Sequence, residues 1–261
     1  MKIIIYAMGT HYRAQLIARA MHEGFRRHGQ DVEIRSKFNG VEGDIAVAYG
    51  WNHESVFSAY GKYLYFDLGY WNRRPVGAPK EGHHRLSISS WCPSGNMLQG
   101  APLDRLKASG LVVAESCGGN NGILVAGMSE KSAKTQGFPF EKWDRETISL
   151  LQTATTRPVY YRPKPKKNEN APTIQQALSL CSSVVAYCSN VAVDGIIAGC
   201  SVFVERGIGR AVSVPSLSDI ANFPPMSYQH RVQFLADVAY CQWTPQEMRN
   251  GVVWDHVRGL I

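Results

Sequence analysis

The chain has 261 residues, 44% hydrophobic and 19% charged, with a formal net charge of +7. This composition excludes a disordered chain, and no run approaches the roughly 20 apolar residues that a membrane span needs. The length suits one large domain or two compact ones, and the positive balance favours an anionic partner without identifying it.

The first residues, KIIIYAM, read as a short buried strand running into Gly9-Thr10-His11-Tyr12. They lack the longer apolar stretch of a secretory signal, so a cytoplasmic location is expected. From Gln15 to His28, apolar residues recur at helical spacing and Arg26, Arg27 and His28 gather at the end, where cations suit the helix dipole. DVEIR (31–35), DIAVAY (44–49) and KYLYFD (62–67) read as strands, with a short helix over 53–60. Strands alternating with helices imply a parallel sheet with right-handed crossovers.

The segment 70–110 is rich in Gly, Pro, Arg and Trp, with one strand-like run at 85–89. Loops this long inside a compact domain are more often functional than idle. Leu111 to Glu115 reads as a closing strand and 116–122 as a turn or hinge. A second α/β series then starts at Ile123, with a helix over 140–153, a strand at 159–161 and two final helices over 227–240 and 245–260. Thr244-Pro245-Gln246-Glu247 has the form of a helix start, with Thr as cap and Pro at the first helical position. The expected fold is α/β, two Rossmann-like domains facing across a cleft. Residues 1–118 form the first domain, 119–240 the second, and 241–261 pack back on the first.

Six cysteines show neither a CxxC pair nor regular spacing, so they read as free core thiols. There is no GxGxxG and no GxxxxGK[ST], which argues against an ordinary dinucleotide or P-loop enzyme. The chemistry gathers instead between Arg157 and Glu205, where polar residues fall at strand ends and the rest is apolar. Arg157, Arg162, Lys164, Lys166 and Lys167 form a basic cluster. In Tyr161-Arg162-Pro163-Lys164-Pro165 the prolines fix an extended turn, so that Arg162 and Lys164 can bind a diphosphate. Lys166 and Lys167 read equally as a solvated loop. Ser189 and Asn190 open a helix and either cap it or donate to a phosphate; Asp194, one turn on, reaches a ribose hydroxyl or is an ordinary first-turn acid. Ser129 and Lys131, after the first strand of the second half, are weaker donor-site candidates.

The run PTIQQALSLCSSVVAYCSNVAVDGIIAGCSVFVE resembles the donor side of the capsule-polysaccharide (Kps-type) glycosyltransferases, which have the GT-B fold. In that family a strand ends in a His-Pro turn, and a later Thr/Ser-Ser turn precedes a helix and a Gly-x-Pro-Val strand. Here Lys164-Pro165 stands in place of His-Pro, and Gly199-Cys200-Ser201-Val202 in place of Gly-x-Pro-Val. A lysine still binds phosphate as a point charge but does not shuttle a proton as histidine does. The resemblance covers residues 122–210 best. More loosely, the N-terminal half and AYCQWTPQEMRNGVVWDHV are similar to small phage proteins of this broad class, some of which glycosylate hydroxymethylated pyrimidines in DNA.

These resemblances imply a glycosyltransferase that takes a sugar from a nucleotide-sugar, a UDP-sugar first. The nucleotide-sugar is a co-substrate and no cofactor is expected. The implied acceptor is a hydroxymethylated pyrimidine in DNA, with a polysaccharide or glycolipid as the alternative, and a phage protein would work in the host cytoplasm. A non-catalytic nucleotide- or nucleic-acid-binding module of the same fold is the reading from another class. An inverting transfer needs a general base near the acceptor hydroxyl, and Asp67, at a strand's carboxyl end, is the first choice, with His84 behind it. His11, Trp51, Tyr70, Trp71 and Trp91 are candidates to contact or stack on the acceptor, and Arg73, Arg74 and Arg85 to meet its phosphates. No Asp-x-Asp occurs, so basic residues rather than a metal are expected to take the diphosphate charge.

Overall fold

A computed structural model of the chain describes residues 1–50, 53–165 and 171–261. They form two compact units, Met1–Ser109 with Ala236–Ile261, and Gly110–Leu235. The sequence reading draws its divisions at 118/119 and 240/241, whereas these units divide at 109/110 and 235/236.

The first unit holds a six-stranded sheet in the order β10-β5-β4-β3-β1-β2. β1 (Lys2–Tyr6), β2 (Asp31–Arg35), β3 (Ile45–Tyr49) and β4 (Tyr63–Leu68) run parallel. β5 (His84–Ile88) returns antiparallel beside β4, and β10 (Gln242–Trp243) lies antiparallel along β5. β3 is buried at every position, as expected of a strand covered on both faces. One face packs Ile3, Ile5, Val47, Leu64 and Phe66 against α1 (Tyr12–Arg27); the other buries Ile4, Tyr6, Ala48 and Tyr65 with Val56 and Phe57 of α2 (Glu54–Ala59).

The C-terminal residues complete this core. Trp243, Met248, Val253 and Trp254 are buried with Met21 and Phe25 of α1. The single helix expected over 245–260 is two, α9 (Pro245–Arg249) and α10 (Val252–Val257), because Gly251 between them has φ +82°. The Thr244 cap occurs as a full capping box with Glu247. α1 and α9 approach so closely that a Cβ on Gly24 would stand 2.1 Å from the carbonyl oxygen of Met248.

The second unit holds a four-stranded parallel sheet, β7-β6-β8-β9. Its strands are β6 (Gly122–Ala126), β7 (Val159–Arg162), β8 (Cys181–Ala186) and β9 (Ser201–Val204). Among its helices are α4 (Glu130–Thr135), α5 (Lys142–Ala154), α6 (Ile174–Leu178) and α7 (Val191–Ile197). α3 (Asp104–Ala108) lies in the first unit, just before the chain passes to the second, and α8 spans Tyr228–Ala239. The strand expected at 111–115 is absent: the segment has no ladder partner, Val112 is 84% exposed, and the Ala114 N–H donates to the carbonyl of Ile197 outside any sheet. Its apolar letters alone mimic a strand.

The cysteines are free thiols. Burial pushes the Cys181 thiol up to about 11 and the Cys200 thiol higher still. No described helix is long and apolar enough to cross a membrane.

Candidate active site

In a sheet built this way, ligands sit beyond the carboxyl ends of the strands, where the strand order reverses. In the first unit that point lies between β1 and β3, because the chain leaves β1 toward β2 on one side and later runs from β3 to β4 on the other. His11, just before α1, stacks on Tyr49 at the end of β3, with ring centroids 5.6 Å apart and planes 16° apart. The Tyr49 ring also meets His84 edge-on at 5.8 Å. Gln15 fixes the intervening loop, its Nε2 donating to the carbonyls of Ala7 and Gly9.

Asp67 and Arg85 face each other across the β4–β5 ladder. Arg85 Nη2 donates to Asp67 Oδ2 at 3.1 Å, the Tyr65 hydroxyl donates to the same oxygen at 3.0 Å, and the Leu68 N–H donates to Oδ1 at 2.7 Å. The Asp67 side chain is 35% exposed while that of Arg85 is 14% exposed, so the carboxylate is the accessible member of the pair. Burial, with the Asp67 charge second, raises the Tyr65 and Tyr49 hydroxyls well above their ordinary range and keeps both neutral.

His84 is 2% exposed, and neither ring nitrogen has a hydrogen-bond partner. Burial, helped by the positive charge of Arg13, lowers its pKa to about 4, so the ring is neutral at pH 7. The backbone of Gly82 lies near enough to favour the charged ring but not in bonding geometry. Burial also lowers His53 and His83.

Two of the expected stacking residues are core instead. Tyr70 is 1% exposed and Trp71 is 7% exposed; their backbone N–H groups are held by the side-chain carbonyl of Gln242 at 2.7 and 3.4 Å. They shape the loop after β4 and offer no open ring to a base or sugar. Trp91 is 36% exposed and leans on Tyr65 at 6.4 Å. Arg73 is half-buried and Arg74 exposed, and neither has an ion-pair partner among the described residues. Trp51 lies outside the described residues.

In the second unit the switch point falls between β6 and β8. The loops after β6, β7 and β8 therefore share one edge, and they carry Ser129, then Arg162 and Lys164, then Ser189 and Asn190. Ser129 is committed to capping α4, its hydroxyl accepting the Ser132 N–H at 3.1 Å. Lys131 is exposed on that helix. The Arg162 guanidinium donates twice to the carbonyl of Pro172. Lys164 is exposed. The Ser189 hydroxyl accepts the Val191 N–H at 3.3 Å, while Asn190 stands at the start of α7 without a side-chain cap bond; Asp194 is half-buried on α7. Lys166 and Lys167 lie outside the described residues.

Arg157 does not belong to this anion site. It sits before β7, at the amino end of the sheet. Its guanidinium donates to the carbonyls of Asn121, Gly122, Ile220 and Ala221 and to the hydroxyls of Ser182 and Ser183. Arg231 is likewise structural, 2% exposed and bonded to the carbonyls of Ala114, Glu115, Ile196 and Met226. In the first unit Arg105 pairs with Glu247 at 2.5 Å and lies 3.9 Å from the centroid of the Trp243 ring.

The sequence reading missed a carboxylate. Asp144, in the first turn of α5, is 2% exposed; it accepts the Tyr161 hydroxyl at 2.8 Å and the Met128 N–H at 3.3 Å. Gly127 makes room, since a Cβ there would stand 2.8 Å from the Tyr161 hydroxyl and 3.0 Å from Asp144 Oδ2. The Asp144 pair ties the loop after β6 to the end of β7. Burial and the Asp144 bond together push the Tyr161 hydroxyl upward. A first-turn acid looks like any other in sequence, so no signal there marks it.

No protein-family model matches the chain, and no curated protein sequence matches it. Among solved structures it is similar to KpsC of Thermosulfurimonas dismutans, described as a beta Kdo 2,7 transferase. The TM-score is 0.52 at 12% identity, over 97% of this chain and 99% of that one. A second structure from the same organism, the beta Kdo 2,4 transferase of KpsC, aligns at TM-score 0.45 and 11% identity over 89% of this chain and 97% of that one. The first likeness spans both units and is a likeness of fold.

Proposed function

We propose that the chain is a GT-B-like glycosyltransferase, two Rossmann-like domains facing across a cleft. The second unit takes a nucleotide-sugar, a UDP-sugar first, and the first unit presents the acceptor hydroxyl. One observation carries the reading. Asp67 stands at a carboxyl strand end with its carboxylate fixed by three donors and still partly open. A carboxylate has about four lone-pair sites. Tyr65 and Arg85 fill both on Oδ2 and Leu68 fills one on Oδ1. The remaining Oδ1 site is the one an acceptor hydroxyl would use. A base so oriented takes the proton as the hydroxyl attacks the sugar.

The fold likeness to a solved transferase agrees with this reading. On the donor side Arg162 and Lys164 take the diphosphate charge as it leaves, in the place a metal fills in other transferases, while Asn190 and the start of α7 meet the nucleotide. Asp144 holds the loop beneath it. The hydroxymethylated-pyrimidine acceptor draws on the loose phage resemblance, the positive charge and the aromatic and arginine residues of the 70–110 segment. Within that segment Arg85 is paired with Asp67, and Tyr70 and Trp71 are buried, which weakens the loop's part of that support.

The test is Asp67→Asn, assayed with a panel of nucleotide-sugars by transfer and, separately, by nucleotide binding. A loss of about 10²–10⁴ in turnover with unchanged nucleotide affinity is expected for removal of a general base. Nucleotide binding without turnover in the unaltered protein would instead support the non-catalytic module, which the Lys164 replacement favours. No nucleotide binding at all would sink the transfer reading and the nucleotide-binding form of the module.

A further inference from the structure

We propose that the carboxyl edge of the first unit, at the β1–β3 switch point, holds an oxyanion of the acceptor, a carboxylate or a phosphate, between Arg13, the first N–H groups of α1 and His84. That the anion belongs to an acceptor rests on the glycosyl-transfer reading. The site itself stands on four observations.

First, α1 is 16 residues long, has no acidic residue in its first turn and has no side-chain cap. The first N–H bonded inside the helix is that of Gln15, to the carbonyl of His11. The N–H groups of Tyr12, Arg13 and Ala14 therefore open toward the loop after β1, with the positive end of the dipole behind them. Second, Arg13 occupies that first turn. Its guanidinium lies 4.7 Å from the centroid of the Tyr12 ring and has no ion-pair partner among the described residues.

Third, and independent of the helix, His84 is buried to 2% exposure with both ring nitrogens unbonded. It packs on the same Tyr49 ring that His11 covers, so it borders the α1 start. A neutral imidazole there offers one N–H donor and one acceptor. Fourth, the nearby carboxylate does not occupy the place: Asp67 is engaged by Arg85, Tyr65 and Leu68. Donors alone would also suit a neutral hydroxyl. A guanidinium with no ion-pair partner among the described residues, in the first turn of a helix without a side-chain cap, selects charge. The group held is thus an acidic substituent of the acceptor, placed near the hydroxyl that Asp67 would activate.

The full-length protein would be titrated by calorimetry with inorganic phosphate, glucuronate, glucose and a DNA oligonucleotide, with the histidine ring resonances followed by NMR. Phosphate or glucuronate should bind at least tenfold more tightly than glucose and shift the His84 signals. Arg13→Gln should weaken that binding at least tenfold, Arg13→Lys less, and neither should move the melting temperature, because Arg13 is only half-buried. Equal binding of glucose, unchanged affinity in Arg13→Gln, or no binding of either anion overturns the site. Binding of the oligonucleotide alone overturns it in favour of nucleic acid. Anion binding that survives while every nucleotide-sugar fails to turn over would leave the site standing and defeat the transfer reading. Turnover without anion binding would do the reverse.

Discussion

Arg157→Met separates a structural cation from a binding one. The guanidinium has five N–H groups, and six acceptors surround it, four of them carbonyl oxygens around the amino end of the second sheet. Methionine keeps much of the stem but donates nothing. Hydrogen bonds to a charged group contribute about 1.5–3 kcal/mol each, and not additively. Because several partners stay half-buried without a donor, a net loss of about 3–5 kcal/mol is expected. At about 3 °C per kcal/mol for a domain of this size, the melting transition of the second unit should fall by roughly 10 °C or more. Calorimetry reads that shift, and nucleotide titration well below the transition should show affinity unchanged within twofold. Arg162→Met should do the opposite, weakening nucleotide binding with little change in melting. If Arg157→Met instead lost nucleotide affinity at unaltered stability, the structural assignment of Arg157 would be wrong.

The remaining predictions concern the first unit's histidine, the helix contact and the donor loop. His84 has a folded pKa of about 4 against an unfolded value of 6.5, so the unfolded chain binds its proton first as pH falls. Its stabilising effect is complete above about 6.5 and is lost progressively down to about 4, on the order of 3 kcal/mol at most. Urea denaturation at pH 7.5 and 4.5 should show this loss, and His84→Gln should flatten it; an equal slope in the variant would assign it to the other buried histidines, His53, His83 and His256, whose pKa values burial also lowers. Gly24→Ala forces a Cβ against the Met248 carbonyl and should destabilise the first unit by about 3 kcal/mol or more, read by thermal melting. Gly127→Ala, crowding the Tyr161–Asp144 pair, should weaken nucleotide binding severalfold while leaving glucuronate binding intact. Unchanged nucleotide affinity in that variant would remove the loop after β6 from the donor site.

Most of the strands were legible in the sequence because buried parallel strands are apolar runs cut by polar turns. KIIIY, IAVAY and GILVA could be little else, and each is fully or almost fully buried. Leu111 to Ala114 shows the limit of that signal, since an apolar run without a neighbouring strand has nothing to pair with. α9 and α10 show another, because the break at Gly251 depends on how closely α1 approaches.

The sequence by itself determined the α/β alternation, most of the strands, the strong capping box at Thr244 and the placement of Asp67 at a strand end, all of which follow from local pattern. Only the tertiary structure decided which charges are free. Arg157 and Arg162 are five residues apart at opposite ends of β7, and one is held by four carbonyls and two hydroxyls while the other donates to the Pro172 carbonyl. It also joined residues far apart in the chain: Gln242 to Tyr70, Asp144 to Tyr161, and His11 to Tyr49 and His84. A side chain's neighbours through space set its charge, its bonds and its exposure, and residue order alone does not contain them.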